Sequence, residues 1–318
     1  MNEVELPEIW LARWERDPNR TLARATLGFT AYLADPEFWA REGAHRFFEF
    51  FRARIPPHLL QNLATSTSGY WRTVSPQDFD GIAETMRQAA LIGRPRHLFR
   101  MRLQNEPGAE SVGFAYNEVD PARADRSAVI QLSFPEMASP GDLIAMASEL
   151  LSIGPVHSLV GGIAFRWDEA NEGWAFDKIY RLASRYLAVD IQKYGEMAWK
   201  TPRALPGSSW LTFIGAELAR RAEIDLEALA DREWEHGVMS GSFFGGVMVQ
   251  AGPEPIQGDL NRLKLPAAYI EAAQALSPWF ADHAPRFWGP FHTYEQSDLW
   301  FRRLVDPVPW TERKIPLD

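Results

Sequence analysis

Histidines are the residues best suited to hold a metal or move a proton in this 318-residue chain, which contains no cysteine. They stand at His45, His58, His97, His157, His236, His283 and His292, and no two have the i, i+4 spacing that presents a pair to one zinc ion from a helix. Without cysteine there is no thiolate ligation, thiol nucleophile, iron–sulfur cluster or disulfide. The expectation is no metal and no cofactor. A hydrolase reading rests on His236-Gly237-Val238-Met239-Ser240-Gly241, which sets a histidine near a serine. That run is not G-x-S-x-G, whose serine sits on a sharp strand-to-helix turn. Ser240 falls between two expected strands, as a turn residue would. Gly241, Gly245 and Gly246 do not spell G-x-G-x-x-G, and they suit a bulged hairpin or a close backbone approach. The carboxylate pairs Asp168/Glu169 and Asp225/Glu227 carry no sign of the split pKa values that acid–base catalysis needs. No catalytic residue is expected.

Two segments read as recognition instead. Arg166 to Asp177, RWDEANEGWAFD, joins a strand to a helix and combines Asp168, Glu169 and Glu172 with Trp167 and Trp174. Acid plus aromatic on a loop can steer and then anchor a basic partner. These five residues are the candidate partner-binding set, although a capped helix start with its tryptophans turned inward would give the same pattern. Glu223 to His236 carries Glu223, Asp225, Glu227, Asp231, Glu233 and Glu235 against a single Arg232. As a helix it would present a mostly negative face, of a kind that also serves plain solubility. The basic strand around Arg94, Arg96, Arg100 and Arg102 reads as an exposed strand face. A net charge of −9 disfavours binding to nucleic acid.

These segments need elements to place them. Alternating apolar residues predict a strand over Ala25 to Leu33, followed by a helix capped by Asp35 and running to about Arg54. TSTSGYWRTV reads as a weak strand, and Pro76 and Gln77 as the start of a helix to about Ile92. His97 to Leu103 and Ser111 to Val119 form a hairpin about Asn-Glu-Pro-Gly. Strands over Ser127 to Phe134 and Val156 to Phe165 bracket a helix from Pro140 to Gly154. A helix near Asp177 to Leu187 follows, then a strand ending at Gly215 that turns into Ala216 to Ala222. VMSG and FFGGVMVQAG make a second hairpin. Helices over Leu265 to Phe280 and from a Ser297 cap complete the pattern. The predicted fold class is α+β, two-layer, with helices on one face of a mostly antiparallel or mixed sheet built from recurring strand–helix–strand units. One globular domain over 1–318 is expected, with an irregular lead-in over 1–20 and a frayed tail over 306–318. Apolar runs fall short of a membrane span and the amino terminus is not a secretory signal, so a cytoplasmic protein with no membrane contact is expected.

Five stretches carry a family resemblance. RYLAVDI (Arg185 to Ile191), GSSWLTFIG (Gly207 to Gly215), VMVQAGPEPIQGDLNR (Val247 to Arg262), LPAAYIEAAQALSPW (Leu265 to Trp279) and LWFRRL (Leu299 to Leu304) resemble, in order and spacing, signatures of the type VI secretion immunity family. Ala188, Ser208-Ser209 and Leu304 depart mildly from the usual residues. The resemblance implies a non-enzymatic immunity protein that binds and neutralises a cognate toxin effector. The acidic balance points to a toxin acting on a polyanion, a nuclease. A hydrolase using Ser240 and His236 and a structural part of the secretion apparatus are the alternatives.

Overall fold

The computed structural model describes residues 11–66, 71–75, 78–91, 98–123, 125–135 and 138–312. Among them, twelve strands join one sheet. Its axis is β2 (Asp17–Leu33), 17 residues long, which forms a hairpin with β1 (Leu11–Trp14). The sequence segment expected to be an irregular lead-in is therefore strand from Leu11 onward. Pro18 and the polar residues about it disguise the start of β2, where a proline costs least because no ladder N–H is needed.

On one side of β2 lie β7 (Ala128–Ser133), β6 (Gly113–Asn117), β5 (Arg100–Gln104), β3 (Asn62–Thr65) and β4 (Arg72–Thr73). On the other lie β8 (Val156–Trp167), β10 (Leu211–Gly215), β12 (Gly246–Ala251) and β11 (Val238–Phe243), which ends the sheet. β9 (Asp190–Ile191) pairs parallel with β8, and the other pairings between these described strands are antiparallel. The β5–β6 hairpin is as expected, but its connection is an eight-residue loop, 105–112, not a tight turn; Asn105 ties it by accepting from the Ser111 and Val112 amides.

The period-2 alternation of β2 and its neighbours gives the sheet two unlike faces. Leu27, Phe29 and Ala31 share one face with Ile130, Leu132, Phe114, Leu159 and Ile163. Helix α1 (Pro36–Phe38), capped by Asp35, runs through a π turn at Trp39–Gly43 into α2 (Ala44–Arg52). Phe47, Phe48 and Phe51 of α2 are fully buried, with the Phe48 and Phe51 rings both 5.2 Å from Phe114. Helix α3 (Asp78–Leu91) backs α2; Pro76 and Gln77, expected to start it, lie outside the described residues, as does part of the TSTSGYWRTV segment. Helix α4 (Pro140–Ile153) buries Leu143, Met146, Ala147 and Leu150 on the same face, and a Ser139/Asp142 capping box closes its start.

The opposite face is polar: Thr30, Gln131 and Arg102 lie in one cross-strand row, and Gly28, Ser133 and Gln104 in the next. It too is covered, since β7, β8 and β10 are buried along essentially their whole length. The two-layer expectation therefore accounts for half of the architecture. Gln192, just past β9, accepts from Thr30 at 2.8 Å, and Thr201 donates to Ser127 at 3.0 Å, so the segment after α5 (Glu172–Ala183) lies over this face. That segment includes α6 (Tyr194–Met197).

Towards the C-terminus come α7 (Ala216–Arg221), α8 (Leu226–Ala230), α9 (Ala267–Leu276), α10 (Tyr294–Phe301) and α11 (Val308–Thr311). Thr293 caps α10; Ser297, the expected cap, is buried inside the helix and its hydroxyl bonds the Phe291 carbonyl. The expected frayed tail is packed at least to Trp310, which is 1% exposed and donates to Leu299 O.

Candidate partner-binding cleft

Where β8 ends, Trp167 turns the chain into a short 3-10 helix, Glu169–Asn171, that leads into α5. Asp168 caps this turn through the Ala170 amide, and its carboxylate also accepts from Asn171 Nδ2 at 2.7 Å and from the Arg20 guanidinium. Its side chain is 4% exposed. Asp168 is thus the pin that fastens the loop to the start of β2, and it is not available to a partner in this conformation. Glu169 is half-exposed and pairs with Arg102 at 2.7 Å. Glu172 is largely covered and pairs with Lys193 at 3.0 Å; burial raises its pKa against the lowering effect of Lys193. Trp167 packs edge-on against Phe176, with ring centroids 5.2 Å apart. Trp174 stands out on the first turn of α5, 54% exposed, with the Arg16 guanidinium 5.5 Å from its ring.

The loop forms one wall of a cavity of about 430 Å³ on the polar face of the sheet. Trp167, Glu169 and Glu172 line it together with Arg100, Arg126 and Tyr194. Burial raises the pKa of the Tyr194 phenol, while burial and the like charges of Arg100 and Arg123 lower that of Arg126. Arg123 and Arg126 both lie over the ring of Trp199, at 4.8 and 4.5 Å, and Trp199 is 45% exposed. Three of the five expected residues therefore meet in one cleft, Trp174 stands outside it, and Asp168 is buried beside it. Arg126, Tyr194 and Trp199 carried no signal in the sequence, because only the fold brings the segment before β7 against α6. Mixed charges with ring faces at the rim suit recognition of a surface.

The hydrolase pair does not assemble. Ser240 lies within β11, accepting from Trp234 Nε1 at 2.8 Å and donating to Ala230 O at 3.1 Å. The His236 ring instead faces Glu271 at 3.4 Å. Nor is Glu223 to His236 one helix: Asp225 caps the short α8, and residues 231–237 form an extended turn into β11.

The signature stretches hold one another. Arg185 forms a two-pronged bond to Asp259, 2.8 Å on each arm, which lowers the Asp259 pKa. Asp190 meets Arg303 at 3.4 Å, and Arg303 donates to Leu187 O at 2.8 Å; burial brings the Arg303 pKa down to about 10, with Asp190 opposing the drop. Trp210 donates to Gly252 O at 2.9 Å. These residues clamp the cover onto the polar face, so their pattern records the fold.

Similarity to known proteins agrees with that placement. The family model TsiV, described as type VI immunity for VRR-NUC, matches residues 44–304. The Pseudomonas aeruginosa T6SS protein PA0821 shares the fold with a TM-score of 0.75 at 17% identity, over 98% of this chain and 93% of that one. No curated protein matches the sequence. With most of its length matched to that model, the chain belongs to the TsiV family, type VI immunity for VRR-NUC.

Proposed function

We propose that this protein neutralises a VRR-NUC nuclease toxin by forming a stoichiometric complex that covers the toxin's substrate site, in the cytoplasm and without catalysis. The family match over residues 44–304 carries this reading. The charge supports it: a nuclease must attract a polyanion, and a chain with a net charge of −9 is attracted to the same basic surface. On the loop over the cleft Glu169 offers a half-exposed carboxylate, and Trp174 at the start of α5 an exposed ring, beside the pair that the buried Asp168 carboxylate makes with Arg20.

Co-expression with a VRR-NUC nuclease from the same genome tests the proposal. The expected outcome is restored growth and a co-purifying complex of defined stoichiometry in which DNA cleavage is suppressed. A toxin that stays lethal and does not copurify, or protection at far below one copy per toxin, overturns it.

A further inference from the structure

The two ends of the sheet are built differently. At one end the described part of β4 is two residues long and carries Arg72, a short, charged edge of the kind that discourages pairing. At the other end, β11 pairs with β12 over six consecutive residues without a bulge, and its sequence, Val-Met-Ser-Gly-Ser-Phe, has no charge and no proline. No further strand pairs with its outer edge among the described residues.

Beside that edge one face of the sheet packs against α8 and α9, and the other is covered only in part by α4. Met239, Phe243 and Met248 with Ile144 of α4 border an apolar groove of about 210 Å³. Met239 is 49% exposed, and Phe244 at the hairpin tip is 56% exposed. Methionines and a phenylalanine give a surface that can repack around a partner's side chains. The chain that enters β11 carries Asp231, Glu233 and Glu235, all exposed, with Glu223 and Glu227 exposed just before them. None of these five acids has a cation within salt-bridge distance among the described residues, where Arg232 is the only base in the stretch.

We infer that β11 is a docking edge for the toxin, and that the toxin contributes an extended segment that adds to the sheet, with apolar side chains entering the groove and basic ones meeting the acidic turn. This rests on the proposed immunity function and adds to the loop over the cleft a second contact surface for the same toxin. Added strands gain affinity from main-chain hydrogen bonds and specificity from alternate side-chain pockets. Charge selects the occupant. A second copy of this chain brings a further net charge of −9 to the exposed acids, whereas a nuclease's basic surface neutralises them.

Amide hydrogen exchange on the purified complex with the cognate VRR-NUC protein tests the inference. Slowed exchange over residues 238–243 on binding is expected. Met239→Glu with Phe244→Glu should then raise the dissociation rate at least tenfold. Glu227→Lys with Glu233→Lys and Glu235→Lys should lower the association rate about tenfold and flatten its salt dependence. A complex that forms with exchange over β11 unchanged overturns the docking edge and leaves the immunity function standing. No complex between the wild-type chain and the nuclease overturns both. A homodimer of the free protein that is lost in the Met239→Glu variant shows a second copy on this edge, and overturns the assignment to the toxin.

Discussion

Arg166 is a full charge set inside the sheet, 3% exposed, and its surroundings show what keeps it there. Its guanidinium donates to Ser133 Oγ at 2.8 Å and to Leu132 O at 2.9 Å, and approaches Gln192 at 3.3 Å and Glu110 at 3.5 Å. Gly28 makes the slot, because a Cβ there would strike both Leu132 O and the guanidinium. Burial lowers the pKa of Arg166, and the carboxylates of Glu110 and Asp190 hold the charge against that effect. Arg166→Met therefore leaves Glu110 buried and unpaired and should cost about 3–5 kcal/mol in urea unfolding. Adding Glu110→Gln should recover part of that loss; strictly additive losses would mean the two groups are not coupled. His157 gives a pH prediction. It is buried, its Nδ1 has no partner among the described residues, and burial with the nearby Arg221 brings its pKa down to about 4. As pH falls below the unfolded value of about 6.5, the unfolded chain takes up a proton that the native state refuses. The stability that depends on neutral His157 is complete above pH 6.5 and is lost by pH 4, roughly 3 kcal/mol in all. His157→Leu should remove this part of the acid slope in urea midpoints measured between pH 7.5 and 4; an unaltered slope would place the acid sensitivity elsewhere.

At the scale of elements, α4 carries the clearest local instruction. Ser139 accepts from the Asp142 amide at 3.2 Å while Asp142 accepts from the Ser139 amide at 2.8 Å, with Pro140 at the first helical position. Ser139→Ala should cost about 1 kcal/mol of unfolding free energy, a loss that Ser139→Asp largely avoids; equal losses for the two would mean that the cap bond is not what matters. Such signals are why this helix and its flanking strands were legible: cap, proline, apolar period and Gly154 all agree. The helix expected near Asp177 begins earlier, at Glu172, because it continues a 3-10 turn that Asp168 caps while pairing with Arg20, 148 residues earlier in the chain. β1 and the first half of β2 were hidden for a related reason. Their residues are partly exposed and polar, and they hold strand geometry by pairing with each other and with the end of β8. The covered second face was illegible because its covering segment, Ser184 to Thr201, has almost no regular structure to betray it. The acidic run before β11 would present one negative face only as a helix, whereas Asp225 caps a five-residue helix and the rest is extended.

For the whole molecule, the consequence that follows from charge is kinetic. A net charge of −9 acts at distances where individual contacts do not, and it speeds encounter with a basic partner until salt screens it over a Debye length of about 8 Å at physiological ionic strength. Association with the nuclease should therefore slow steeply with ionic strength while dissociation changes little. Residues that contribute through the field differ from those that hold the fold, and the loop over the cleft contains both kinds. Glu169→Lys alters a half-exposed charge whose partner Arg102 remains partly solvated, so it should leave the fold intact and lower the association rate severalfold at low salt, converging on wild type at high salt. Asp168→Lys reverses a charge that the Arg20 guanidinium and Asn171 hold inside the molecule. It should lower the unfolding midpoint, because the reversed charge would face Arg20 without water to solvate it. Stopped-flow association across a salt series, paired with unfolding of each free variant, separates the two. If Glu169→Lys loses stability and Asp168→Lys loses only association rate, the division of the loop between a buried pin and an exposed charge is wrong.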